Sequence, residues 1–172
     1  MIGVISDSHD NLPLLKKTIQ ELLEHRVELI IHLGDIISPF VVRQLAEIVK
    51  NTPVIAVRGN NDGDIQQLKT LFDKYGWLFY SEPTIIEVEN RKFLLMHGYN
   101  GIEFTESIAR ALLRSLSVDG VFYGHTHRYV LEEENNRILL NPGEVCGYLT
   151  GKSTYAILDT GSLKTQIHFL GV

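Results

Sequence analysis

Residues Met1–Leu23, MIGVISDSHDNLPLLKKTIQELL, place an apolar run, a polar insert and an amphipathic run in immediate succession. Ile2–Ile5 is short and does not alternate, which fits a strand buried on both faces. Leu12, Leu15, Ile19, Leu22 and Leu23 recur at helical spacing, and Pro13 falls in the opening turn, where its missing N–H is no loss. The same alternation continues. Leu29–Leu33 leads to Ser38-Pro39, an N-cap followed by proline at the first helical position, with Val41, Leu45, Ile48 and Val49 on one face. Val54–Val57 leads to a third helix marked by Ile65, Leu68, Phe72 and Tyr75. Strands joined through helices in this way are expected to pair in parallel.

From Thr84 the pattern changes. Thr84–Val88 and Lys92–Met96 flank a tight Asn90-Arg91 connection and read as a hairpin. Phe104, Ile108, Leu112 and Leu116 share a helix face, Gly120–Tyr123 is a further strand, and later pairs turn at Asn135-Asn136 and at Thr160-Gly161-Ser162. In the last strand Leu163, Thr165, Ile167 and Phe169 alternate with Lys164, Gln166 and His168, as expected with one face wet. No repeat, low-complexity tract or linker interrupts the chain. The expected fold class is α/β: a four-layer α/β/β/α sandwich of two packed mixed sheets flanked by helices, one domain over residues 1–172.

Composition narrows the function. The chain is 44% apolar and 22% charged, with no apolar run near the roughly 20 residues of a membrane span. Its start lacks a basic leader, so a cytoplasmic protein with no membrane partner is expected. Cys146 is the only cysteine, which excludes a disulfide within the chain and a thiolate zinc cluster. The formal net charge of −5 and the lack of a Lys/Arg block argue against nucleic acid as a partner.

Polar residues gather where the apolar runs end. Ile2–Ile5 runs into Asp7 and His9, Leu29–Leu33 into Gly34-Asp35, and Val54–Val57 into Arg58-Gly59-Asn60-Asn61-Asp62. Lys92–Met96 ends in His97-Gly98, and Gly120–Tyr123 in Gly124-His125-Thr126-His127. In extended chain, residues i and i+2 point the same way, so His125 and His127 can converge. Turn chemistry accounts for Gly, Asn and Asp at any one of these places. It does not account for four histidines and two aspartates at the ends of one set of strands. Imidazole, carboxylate and amide together suit a transition-metal site.

In order, D-x-H, G-D, G-N-N-D, a single His and G-H-x-H resemble the calcineurin-like metallophosphoesterase superfamily, over Asp7 to His127. The size is similar to its small single-domain prokaryotic phosphodiesterases, and the fold to the retromer scaffold subunit. The resemblance implies two divalent ions: one on Asp7, His9, Asp35 and His127, the other on Asp35, Asn60, His97 and His125, with Asp35 bridging. Manganese is the favoured ion, and nickel, cobalt, iron or zinc also suit these donors. The implied reaction is in-line attack of a metal-bridging hydroxide on a small phosphate ester, most readily a diester, with Asn61, Asp35 and His97 as candidate catalytic residues. One position departs. The family pattern has histidine, thought to protonate the leaving oxygen, where this chain has Asn61. An amide has no proton to give, so Asn61 is left with a hydrogen bond to a phosphoryl oxygen, and esters with good leaving groups should react best.

Arg58 and Arg128 could clamp phosphate oxygens, and Asn11 and Tyr99 could face substrate. His32 reads as packed behind the ligands, His25 as a surface residue, His168 as outward-facing and Cys146 as a small core residue. Asp62 could cap the third helix or orient Asn60, and Asn141-Pro142-Gly143 reads as a turn. A protein-binding scaffold and a metal-dependent nuclease are the rival functions; an apolar sheet face or hairpin could pair in a homodimer.

Overall fold

Strands whose two faces are both buried need no alternation, and the central strands of this protein are of that kind. The computed structural model describes residues 1–171. In chain order the elements are β1 (Ile2–Ile5), α1 (Leu12–Glu24), β2 (Leu29–His32), α2 (Pro39–Val49), β3 (Val54–Val57), α3 (Ile65–Lys74) and β4 (Leu78–Tyr80). Then follow β5 (Thr84–Val88), β6 (Arg91–Met96), α4 (Ile102–Ser115), β7 (Gly120–Tyr123), β8 (Tyr129–Glu134), β9 (Arg137–Pro142), β10 (Thr154–Leu158) and β11 (Thr165–Phe169).

The strands form two mixed sheets. One has the order β11-β10-β1-β2-β3-β4, with β1 to β4 parallel and β10 and β11 antiparallel at one end. The other has the order β5-β6-β7-β9-β8, with β6, β7 and β9 parallel between antiparallel edges. Side chains sort by parity. Ile2, Val4, Leu29 and Ile31 pack against Phe93, Leu95, Phe122 and Leu140 of the second sheet. Ile5, Ile30 and Ala56 pack outward on Leu15, Ile19, Val41, Leu45, Leu68 and Phe72 of α1 to α3. Leu94, Met96, Val121 and Tyr123 pack outward on Ala109 and Leu113 of α4. The result is the four-layer sandwich expected from sequence. Among the described residues no helix is long and apolar enough to cross a membrane.

Several local expectations need correction. The strand β4 was not anticipated: three residues at a sheet edge leave too short a pattern. The first hairpin turns at Glu89-Asn90 (φ 50° and 67°), one residue earlier than expected, so Arg91 already belongs to β6. The buried stripe of α4 is Thr105, Ala109 and Leu113; Ile108, Leu112 and Leu116 flank it, and Phe104 is 50% exposed. Large apolar residues misled the reading, because small Ala109 and Thr105 occupy the closest approach to the sheet. The last connection is longer than a three-residue turn, spanning 159–164. The wet-face alternation of β11 fails at its end, where Phe169 is 50% exposed and His168 stacks on Tyr155 at 5.1 Å. Asn141 and Pro142 close β9 instead of forming a turn.

Candidate metal centre

Five loops leave the ends of β1, β2, β3, β6 and β7, and backbone hydrogen bonds strap them together. Asp7 N–H donates to Gly34 O (3.1 Å), His9 N–H to Asp35 O (3.1 Å) and Gly124 N–H to His97 O (2.9 Å). His97 Nδ1 reaches across from the second sheet to Leu33 O of the first (2.7 Å). Such close approach needs glycine. A Cβ at Gly124 would lie 2.0 Å from Ser6 Oγ, and one at Gly59 would lie 2.1 Å from Asp35 N. Asp7, His9, Asp35, His125 and His127 all adopt left-handed backbone, with φ between 42° and 69°. Non-glycine residues in that region cost on the order of 1 kcal/mol or more each, and such strain gathers at functional sites.

The side chains meet in two groups that share Asp35. Asp35 Oδ2 lies 3.3 Å from His9 Nε2 and 3.4 Å from His97 Nε2. Asp7 Oδ1 lies 3.8 Å from His9 Nε2 and 3.6 Å from His127 Nε2. Asn60 Oδ1 lies 3.0 Å from His97 Nε2 and 2.8 Å from His125 Nδ1. Asp7 Oδ1 and His9 Nε2 are buried with no hydrogen-bond partner among the described residues. All seven donors read from sequence therefore come together.

Far-side contacts fix the rings. His97 Nδ1–H donates to Leu33 O, His125 Nε2–H to Asn100 O (2.5 Å) and His127 Nδ1–H to Glu144 Oε2 (2.6 Å). A neutral ring has one proton, so the nitrogen facing the cluster then bears a lone pair. With both rings neutral, three acceptors meet at Asn60, an arrangement that a cation, or a second proton on His97, relieves. The charges agree. The Asp35 and Asp7 carboxylates hold a proton on His9 up to about 10. Burial pushes Asp35 up, but His9 and His97 outweigh it and hold the carboxyl far below its ordinary range. Burial opposes protonation of His97, yet Asp35 leaves it raised. A pair of buried carboxylates facing imidazoles draws positive charge, and the donor set fits divalent ions.

A family model described as the calcineurin-like phosphoesterase superfamily domain matches residues 1–163. The chain belongs to that superfamily. A phosphodiesterase of Methanocaldococcus jannaschii is 39% identical over 160 residues, covering 92% of each chain. The solved structure of an archaeal phosphodiesterase superposes with a TM-score of 0.87 at 36% identity, over 98% of this chain and 99% of that one. Vps29 of Entamoeba histolytica, solved with zinc, has a TM-score of 0.65 at 22% identity over 99% of each chain, a likeness of fold.

Among superfamily motif neighbours, several residues take places that sequence did not give them. Asn61 donates both its backbone N–H and its side-chain amide to Asp35, at 2.8 Å each, so its side chain braces a carboxylate. Asn11 is the N-cap of α1: Oδ1 accepts from Leu14 N (3.3 Å) and Nδ2 donates to Cys146 O (3.0 Å), which occupies the amide at both ends. Asp62 does not cap α3, which Asp64 does, and makes no hydrogen bond to Asn60 among the described residues. It ties Gly59 N (2.6 Å) to Ile37 N (2.8 Å). Arg58 and Tyr99 wall a cavity beside Asn60 and His97, and Arg128 walls another beside His127. His32 is buried behind the site, bonded to Ser8 Oγ (2.9 Å) and Gly34 N (3.3 Å). His25 is exposed at the end of α1, edge-on to His168 at 5.1 Å.

Sequence reasoning missed Glu144. Its carboxylate is completely buried and accepts from His127, Cys146 Sγ (3.1 Å), Leu149 N (3.0 Å) and Thr150 N (2.6 Å) and Oγ1 (2.8 Å). Burial alone would raise it; these donors bring its pKa down to about 2. His127, Glu144 and Cys146 are close enough to form a ligand set of their own. Burial and the neighbouring Glu144 push the Cys146 thiol up to about 12, however, and a protonated thiol is a poor ligand.

Proposed function

We propose that this chain is a metal-dependent phosphodiesterase acting on a small phosphate ester, with Asp7, His9, Asp35 and His127 holding one divalent ion, Asp35, Asn60, His97 and His125 a second, and manganese the ion of first choice. The observation that carries the reading is the meeting of carboxylate, imidazole and amide groups around Asp35, with Asp7 Oδ1 buried and without a hydrogen bond among the described residues. The phosphodiesterase relative at 39% identity supports the same chemistry. When bound, such ions polarise phosphoryl oxygens, lower the pKa of water and offset charge developing at phosphorus.

The chain's own residues orient and restrain. Asp35 stays anionic because His9 and His97 face it, and Asn61 adds an N–H group to each of its oxygens. Glu144, Leu33 O and Asn100 O hold the far protons of His127, His97 and His125, so the near nitrogens remain donors in one tautomer. Asn61, without an acidic proton, leaves departure to the intrinsic quality of the leaving group. Hydrolysis of bis(p-nitrophenyl) phosphate with Mn²⁺, Ni²⁺, Co²⁺, Zn²⁺ or Mg²⁺ tests the reading. We expect turnover that chelation removes and an added ion restores, and an Asp35→Ala variant without activity. Metal-loaded protein that hydrolyses no phosphate ester would contradict it and favour a protein-binding scaffold.

A further inference from the structure

Two cavities touch the donor cluster at different residues, and they differ in charge. The first, about 230 Å³, meets Asn60 and His97 and has Arg58, Glu82 and Tyr99 in its wall. Arg58 and Glu82 cancel. The second, about 280 Å³, meets His127 and is walled by Arg128, Tyr129, Thr150, Lys152 and Thr154. It has two cations and no carboxylate, in a protein whose formal net charge is −5. The ion pairs of the described surface engage the N-terminus, Lys69, Arg91, Arg110 and Arg114, and neither Arg128 nor Lys152 has an acidic partner among the described residues.

The walls of the second cavity are held in place. Glu144 grips His127 and Thr150 at once, fixing two sides. Tyr129 stands edge-on to Phe169 with ring centres 5.4 Å apart, and Lys152 Nζ lies 5.7 Å from the centre of the same Phe169 ring. A simple diester has no use for these cations. Two divalent ions would bring four positive charges, of which Asp7 and Asp35 offset two; the remaining two match one hydroxide and one singly charged diester, which leaves Arg128 and Lys152 without a charge to balance. A terminal phosphate carries about −1.5 to −2 near neutral pH, which matches an Arg and a Lys together.

We propose that the cavity at His127 is a subsite for a second phosphate, so that the substrate class is an asymmetric phosphodiester with one uncharged arm beside Arg58 and Tyr99 and one arm ending in a phosphate held by Arg128 and Lys152. This rests on the phosphodiesterase reading above. Two substrates with the same leaving group isolate the effect: the p-nitrophenyl ester of thymidine 5′-phosphate, with and without a 3′-phosphate. We expect a KM about tenfold lower for the phosphorylated one, roughly the value of one charge-assisted hydrogen bond. Lys152→Gln should remove that advantage and leave KM for the unphosphorylated ester, and Mn²⁺ affinity by calorimetry, as in the parent; Arg128→Gln should remove it as well. Calorimetric binding of thymidine 3′,5′-bisphosphate against thymidine 5′-phosphate reads the same preference without turnover. Equal affinity for the two, or variants that weaken both alike, would overturn the subsite. Loss of hydrolysis on both esters with the bisphosphate preference intact would strike the phosphodiesterase reading and spare the subsite.

Discussion

On the proposed phosphodiesterase reading, the amide at position 61 decides which leaving groups can depart. Asn61 is bonded to Asp35 through both its N–H groups, and it has no proton to pass to a leaving oxygen. An Asn61→His variant should therefore gain on alkyl phosphodiesters, by up to about 10²-fold, and gain little on p-nitrophenyl diesters, where the leaving group needs no proton. Rates on the two substrate types, measured side by side, check this; equal gains would mean that Asn61 acts through Asp35 alone. The seven donors were legible because each stands beside a turn residue just after an apolar run, a coincidence of residue types that turn chemistry does not produce. Glu144 was not. It meets His127 across 17 positions of chain, and only the folded loop after β9 joins them. The bracing of Asp35 by Asn61 was equally out of reach, since spacing says where a side chain is and not which partner takes its hydrogens.

Elements were legible in proportion to the regularity of their burial. β1, β2 and β3 are buried on both faces or nearly so, and their uniform apolar runs said as much. α4 was read in the wrong register because its packed centre is Ala109, with Thr105 turned to bond Tyr99 N (3.0 Å) and O (2.7 Å). Side-chain truncation separates the two registers. Leu113 is 2% exposed, and Leu113→Ala should cost about 2 to 5 kcal/mol, whereas Phe104→Ala, at a half-exposed position, should cost within about 0.5 kcal/mol. Denaturant unfolding gives both values; similar losses at the two sites would restore the register read from sequence.

At the scale of the whole molecule, the two sheets place five loops at one end, and the packing behind them makes stability depend on pH. His32, the last residue of β2, is fully buried behind these loops, and burial lowers its pKa to about 4 from 6.5. The unfolded chain binds this proton more tightly, so the contribution is complete above about pH 6.5 and is lost as pH falls to about 4, roughly 3 kcal/mol in all. In metal-free protein, His32→Gln should flatten that part of the profile; a variant as steep as the parent between pH 6.5 and 4 would assign the loss elsewhere. The proposed function depends on the donors around Asp35 receiving cations. Anomalous diffraction from Mn²⁺-soaked crystals tests that most directly. Two peaks are predicted, one bounded by Asp7, His9, Asp35 and His127 and the other by Asp35, Asn60, His97 and His125. Maps without density at Asp35, or a lone peak among His127, Glu144 and Cys146, would contradict it.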